Sequence, residues 1–166
     1  TVDENLKDII EELHSNTYTL GVAYDGDADR VVAVDEKGGI IRADILMSIF
    51  IPHIISKNDT VLYDVKCSQS LELTIKKYFG KPLMWKTGHS LIKNKMIETN
   101  SKFGGEMSGH IFFADRYFGY DDGIYVSLRL IELLSKSKYN LSQLVEQIPK
   151  FYSSPEIRIP CSDDIV

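Results

Sequence analysis

Residues 60–85 read TVLYDVKCSQSLELTIKKYFGKPLMW: a β-prone run, a polar break, an amphipathic run and a second β-prone run. Thr60–Val65 is expected as a strand. A helix capped near Ser68 should follow, turning Leu71, Ile75, Tyr78 and Phe79 inward and closing at Gly80, before Leu83–Trp85 returns to strand. Two strands joined through a helix favour a parallel pair, because a crossover of that length carries the chain back to the same edge of a sheet.

The same order continues downstream. Ser90 to Thr99 has helical spacing, Gly104 to Phe113 reads as a glycine-punctuated strand pair, and Asp121-Asp122 opens a helix with Ile124, Leu128, Ile131 and Leu134 as its expected buried stripe. Asn140 and Gln143 form a capping box for a last helix running toward Pro149, after which Ile157 and Ile159 restart a strand pattern. Upstream, Asp44 is the expected cap of a helix carrying Ile45, Leu46, Ile49, Phe50 and Ile54. Leu20–Tyr24, Val31–Val34 and Ile40-Ile41 are short β-prone runs. The stripe Leu6, Ile9, Ile10, Leu13 behind Asp3 gives an amphipathic helix. The expected class is therefore α/β, a mixed or mostly parallel sheet covered by helices, with a partial second α/β domain at the N-terminus. The boundary is expected at Gly38-Gly39: residues 1–39 form the end of one domain, 40–154 a complete one, and 155–166 a hinge and first strand of another. Both ends look cut, so a fragment is expected.

The 166 residues are 43% hydrophobic and 26% charged, enough for one ordinary core, and the net charge of −5 argues against nucleic acid as a partner. The longest apolar stretch, from Ile45 to Ile55, is interrupted by Ser48, Pro52 and His53 and is too short for a bilayer span. Cys67 and Cys161 stand far apart and outside any CxxC pair, and the opening residues carry no export signal, so a reducing cytoplasm is the expected setting. His14 and His53 read as structural. Trp85 and the Tyr117–Tyr120 segment read as packing rather than a stacking platform.

Three clusters could carry chemistry. Asp25, Asp27 and Asp29 alternate with Gly26 and Ala28 between two expected strands. Two carboxylates about 4–5 Å apart repel by roughly 3–4 kcal/mol at an effective dielectric of 20, so a convergent trio wants a cation, and oxygen-only ligands favour Mg²⁺, Ca²⁺ or Mn²⁺. An acidic, solvated hairpin loop is the competing reading. An EF-hand is excluded, because Arg30 stands where the loop needs glycine and the flanks are strand-like. Gly104-Gly105-Glu106-Met107-Ser108-Gly109-His110 brackets a carboxylate, a hydroxyl and an imidazole with glycines, an inventory suited to polyols, although a glycine-rich turn with incidental polar residues is the commoner source of such a stretch taken alone. Lys86-Thr87-Gly88-His89-Ser90 sets a histidine beside a helix start, where N–H groups favour anions; an N-cap turn explains it as well. Lys66 ends the Asp64-Val65-Lys66 run, at the carboxyl edge where ligands gather in open α/β sheets.

Taken in order, Asp25-Gly-Asp-Ala-Asp-Arg30, Asp64-Val-Lys66-Cys67, Lys86-Thr-Gly-His89-Ser90 and Gly105-Glu-Met-Ser-Gly-His110 resemble the α-D-phosphohexomutase superfamily, nearest its phosphomannomutase/phosphoglucomutase branch. The resemblance implies a four-domain enzyme moving a phosphoryl group between O1 and O6 of a hexose, through a phosphoserine and a hexose 1,6-bisphosphate intermediate. It implies Asp25, Asp27 and Asp29 as Mg²⁺ ligands and Arg30 as a phosphate or substrate contact. Gly105, Glu106 and Ser108 become the sugar-binding turn, and His110, His89 and Lys66 cleft residues, with His110 preferred as proton acceptor. Met107 favours the mannose/glucose branch over phosphoglucosamine mutases, which typically carry Gln there. Ala28 replaces the family's usual second glycine, which should stiffen the loop. The phosphoserine loop has no counterpart in these residues. The chain alone is thus expected to be inactive, with domains 1 and 4 as its missing partners. The alternative is a standalone sugar-phosphate and Mg²⁺ binding module, distinguished by tight ligand binding without turnover.

Overall fold

A computed structural model describes residues 3–152. In chain order the elements are α1 (Lys7–Ser15), β1 (Leu20–Tyr24), β2 (Val31–Asp35), β3 (Ile40–Ile41), α2 (Ala43–Ile54), β4 (Thr60–Asp64), α3 (Gln69–Lys77), β5 (Lys81–Trp85), α4 (His89–Thr99), β6 (Phe103–Gly105), β7 (Ile111–Phe113), α5 (Gly123–Lys136) and α6 (Leu141–Glu146). The main sheet has the order β5-β4-β6-β7. β4 runs parallel to β5 and β6, and β7 returns antiparallel to β6, so the sheet is mixed, as its sequence pattern indicates.

Alternation along the strands sorts side chains between two helical layers. Val61 and Tyr63 of β4, Phe103 of β6, and Ile111 and Phe113 of β7 join the main core with Met47 and Phe50 of α2, Leu71 and Ile75 of α3, and Val126 and Leu130 of α5. Leu62 and Phe112 point the other way, into a smaller core with Ile92 and Met96 of α4. Phe50 stands edge-on to Phe113 at 5.1 Å, an arrangement that aromatic quadrupoles prefer.

β1, β2 and β3 make a separate antiparallel sheet, with α1 lying over β1. β2 is buried along its length, and its Val31 and Ala33 enter the main core together with Ile41. The expected boundary at Gly38-Gly39 falls inside the β2–β3 hairpin turn, where the Asp35 carboxylate accepts from the N–H groups of Lys37 at 2.9 Å and Gly39 at 2.8 Å.

Several local expectations differ from the structure. Asp3 does not cap α1; a 3₁₀ turn precedes that helix and Asp3 pairs with Arg42. Asp44 sits one residue inside α2, and its buried carboxylate accepts from the N–H groups of Ile45 at 2.8 Å and Ser68 at 3.0 Å, tying α2 to the start of α3. α3 ends at Lys77, so Tyr78 and Phe79 turn outward. Phe79 takes the left-handed conformation, φ 62°, that closes the helix, and Gly80 N–H bonds back to Ile75 O at 2.9 Å. β4 ends at Asp64, which leaves Lys66 in the following turn.

On α5 the stripe is reversed: Ile124, Leu128 and Ile131 are half exposed, and Val126, Leu130 and Arg129 are buried, with Leu134 partly buried against the core. The helix is apolar on two sides, so periodicity alone could not choose. Arg129 decides it, donating twice to Asp115 at 2.8 Å and lying 4.5 Å over the Phe113 ring. α6 carries the expected capping box but stops at Glu146. Cys67 is buried and unbridged, and His14 meets the Lys37 carbonyl at 3.0 Å. Trp85 is covered by the Lys95 ammonium, and Tyr117 stacks on Tyr125 at 4.0 Å. Cys161 and the strand expected around Ile157 and Ile159 lie outside the described residues.

Candidate functional site

The carboxyl ends of β4, β5 and β6 lie together because the three strands are parallel, and every motif singled out in the sequence leaves from that edge or folds against it. The turn after β6 is closed by Gly109 N–H to Glu106 O at 3.1 Å and Glu106 N–H to His110 O at 2.8 Å. It projects Ser108 into solvent and returns His110 toward Glu106. Gly105 is glycine for packing rather than for ligand approach. A Cβ there would lie 2.7 Å from Met47 Sδ and 2.9 Å from the His110 carbonyl.

Glu106 is 2% exposed. Its Oε1 accepts from Gly88 N–H at 2.5 Å at the N-terminus of α4, where the helix dipole favours an anion, and its Oε2 meets His110 Nδ1 at 3.0 Å. Burial works against its charge, but His110, the Gly88 amide and the charge of His89 outweigh it and hold the carboxyl below its usual range. Ser108 Oγ also reaches His110 Nδ1, at 3.0 Å. His110 Nε2 lies 3.3 Å from Asp29 Oδ2. Burial pulls the His110 pKa down, yet Glu106, Asp29 and Asp121 together raise it above the ordinary imidazole value.

That shift favours the imidazolium form of His110. The neighbouring His89 stacks its ring on His110 at 5.3 Å and sets its Nδ1 2.7 Å from Asp121 Oδ2. In the neutral ring, Nδ1–H donated to Asp121 leaves Nε2 as the acceptor. Lys93 holds the other Asp121 oxygen at 2.8 Å. The sequence marks Asp121 only as part of a helix start; its neighbour Asp122 takes the cap by accepting from Tyr125 N–H at 2.8 Å. Two acids before a helix that needs one cap are the signal that the second has other work.

Asp64 is a second residue whose role the sequence did not reveal. It is fully buried at the end of β4. Its Oδ1 accepts from Met107 N–H and the Cys67 thiol, each at 3.1 Å, and its Oδ2 from Thr87 Oγ1 at 3.2 Å. One carboxylate thus gathers the turns after β4, β5 and β6. It also contributes, after burial, to pushing the Cys67 thiol far up, so that cysteine is inert.

The acidic loop approaches from the antiparallel sheet. Ala28 adopts φ 60°, a conformation costing a non-glycine residue roughly 1 kcal/mol, and its carbonyl accepts from Gly123 N–H at 2.9 Å. A Cβ on Gly123 would meet the Ala28 and Arg30 carbonyls at 2.9 Å, so this helix start must be glycine for the loop to dock. Val31 N–H to Gly109 O at 3.3 Å joins the loop to the β6–β7 turn. Arg30 bonds Asp25 through its backbone N–H at 3.1 Å and Nε at 2.5 Å. Burial opposes the Asp25 charge, but Arg30 outweighs it and lowers the pKa.

One oxygen from each of Asp25, Asp27 and Asp29 lies within 4.8 Å of the others, and Asp29 Oδ1 is buried with no hydrogen-bond partner. Three hard oxygen donors, one of them orphaned, suit Mg²⁺. Lys66 lies on the exposed turn at the same edge of the sheet.

An NMR titration of the ring protons should place the His110 midpoint above the ordinary value near 6.5, and Glu106→Gln should lower it. By linkage the raised His110 stabilises fully below about pH 6.5 and loses that contribution as pH rises through its folded value. Glu106, lowered, contributes above about 4.5 and loses it as pH falls. The pair is strongest between those limits.

Residues 42–152 match the family described as phosphoglucomutase/phosphomannomutase, alpha/beta/alpha domain III. The phosphomannomutase/phosphoglucomutase of Pseudomonas aeruginosa is 46% identical over 163 residues, covering 97% of this chain and 35% of that protein. A crystal structure of a phosphoglucomutase/phosphomannomutase family protein from Burkholderia thailandensis superposes with a TM-score of 0.87 at 42% identity, over 92% of this chain and 33% of that one. An N-acetylglucosamine-phosphate mutase of the alpha-D-phosphohexomutase superfamily shares the fold at 16% identity and TM-score 0.62, over 78% of this chain and 34% of that one. The chain spans about a third of the length of the curated relatives it matches. No helix among the described residues is long and apolar enough to cross a membrane. A motif set converging at one sheet edge and a family match over two thirds of the residues agree: the chain belongs to the phosphoglucomutase/phosphomannomutase family, with residues 42–152 as its α/β/α domain III.

Proposed function

We propose that this chain supplies the metal loop and the sugar-binding turn of a cytoplasmic phosphohexomutase that interconverts the 1- and 6-phosphates of glucose and mannose by way of a phosphoserine and a hexose 1,6-bisphosphate. The observation that carries the reading is the 3.3 Å approach of His110 in the sugar turn to Asp29 in the acidic loop, which sets polyol and phosphate chemistry side by side. Residues 1–39 then belong to the second domain, 40–154 to the third and 155–166 to the passage toward a fourth, and the serine lies on another part of the enzyme. This segment alone should give no turnover.

Asp25, Asp27 and Asp29 would hold Mg²⁺, which when bound offsets the negative charge of the phosphoryl group. The chain's own residues do the rest. Arg30, pinned by Asp25, presents fixed positive charge beside the loop, and Lys66 adds a second cation at the carboxyl edge of the sheet. Ser108 and the backbone of the Gly105–Gly109 turn meet the ring hydroxyls. Glu106 accepts from them with its remaining lone pairs and keeps His110 oriented. His89 Nε2 takes the proton of the attacking hydroxyl, Asp121 stabilising the imidazolium through Nδ1–H, and His110 holds positive charge near the departing oxygen.

Glu106→Gln in a full-length mutase carrying this segment should raise KM for glucose 1-phosphate about tenfold while Mg²⁺ affinity stays within about twofold, since one oriented hydrogen bond to a charged group is worth roughly 1.5 kcal/mol. Unchanged KM and kcat would remove Glu106 from the sugar site.

A further inference from the structure

A second group of metal-binding side chains lies beside the acidic loop and differs from it in chemistry. His89 begins α4, His110 ends the β6–β7 turn and Asp121 precedes α5. One ring nitrogen of each histidine and one Asp121 oxygen lie within 4.8 Å of one another. We propose that His89, His110 and Asp121 form a separate cation site for a borderline-soft divalent ion, Zn²⁺ above all, alongside the Mg²⁺ loop.

Two imidazole nitrogens and a carboxylate oxygen match the donors that Zn²⁺ takes at about 2.0–2.2 Å, whereas Mg²⁺ prefers oxygen and an octahedral shell. Bonds of that length in a tetrahedron set neighbouring donors about 3.3 Å apart, so the trio needs to close by no more than about 1.5 Å. His89 can supply the movement, because its side chain is half exposed. Lys93 Nζ stays on Asp121 Oδ1 at 2.8 Å, orienting the carboxylate and leaving Oδ2 for the ion. The ion takes the place of the proton shared by His89 Nδ1 and Asp121 Oδ2; the ring stays neutral by carrying its proton on Nε2 instead, so His89 releases no net proton. Surrounding charge favours a cation: Asp25, Asp29, Glu106 and Asp121 outnumber Arg30 and Lys93. On the functional reading above, an occupied site withdraws His89 from proton transfer and His110 from its charge-holding role, and so acts as a brake; the site itself does not depend on that reading.

The test titrates this chain with ZnCl₂ in millimolar Mg²⁺, following histidine ring nitrogens by NMR and affinity by calorimetry. One Zn²⁺ per chain should shift the His89 and His110 nitrogens and leave His14 and His53 unmoved. His89→Gln and His110→Gln should each weaken binding at least about tenfold, and Asp27→Ala should leave it within about twofold. Unshifted His89 and His110 resonances in the wild-type chain would overturn the site without recourse to any variant. So would unchanged affinity in both histidine variants, or loss of Zn²⁺ in Asp27→Ala.

Discussion

An Asp29→Ala substitution in a full-length mutase carrying this segment is expected to lower kcat about 10²- to 10³-fold while KM for hexose phosphate moves by less than about threefold. The asymmetry follows from position. Asp29 directs Oδ2 at His110 and keeps Oδ1 buried without a donor, so its removal takes away a cation ligand and a positioned partner of the imidazole together. Neither contact grips the sugar hydroxyls, so ground-state binding is largely spared. Mn²⁺ binding to the variant, followed by electron paramagnetic resonance, should weaken in parallel. A variant that keeps more than about a third of its turnover would remove the acidic loop from the reaction.

Asp64→Ala is expected to destabilise this chain by about 3 kcal/mol in urea unfolding at unchanged m-value. Three donors from three separate turns end on this one carboxylate, inside the protein where water cannot replace it. Each hydrogen bond to a charged group contributes roughly 1.5–3 kcal/mol, and the release from burying a carboxylate returns part of the sum. Asp64→Asn keeps the shape and one acceptor oxygen, so it should lose about half as much. A loss below about 1 kcal/mol in the alanine variant would mean that the turns hold their places without it.

Much of this architecture is legible in the residues, and the misses have physical causes. Strand runs such as Thr60–Asp64 are continuous β-prone runs, buried almost throughout, and the hairpin around Gly105–His110 is marked by its glycines, so both show in the sequence. The acidic loop and the glycine-rich turn after β6 stand out because their residue types are costly to assemble without a purpose. What the chain does not announce is which of two apolar sides α5 buries, since that depends on an ion pair between Arg129 and Asp115 distant in sequence. The same is true of Asp64 and Asp121. Their partners arrive from other strands and helices, and a lone acid at the end of a strand or beside a helix cap is indistinguishable from a solvated one until the fold closes. Nor does the sequence rank His110 and His89 as proton acceptors, because the carboxylate beside each ring comes from elsewhere in the fold.

Two backbone hydrogen bonds described above have a mechanical consequence. Gly123 N–H to the Ala28 carbonyl and Val31 N–H to the Gly109 carbonyl fasten the acidic loop at once to the start of a helix and to the neighbouring turn. The acidic loop, the β6–β7 turn and the start of α5 are therefore tied to move together. In the mutase proposed above, a hexose phosphate would therefore meet the acidic loop and this turn as one wall of its site.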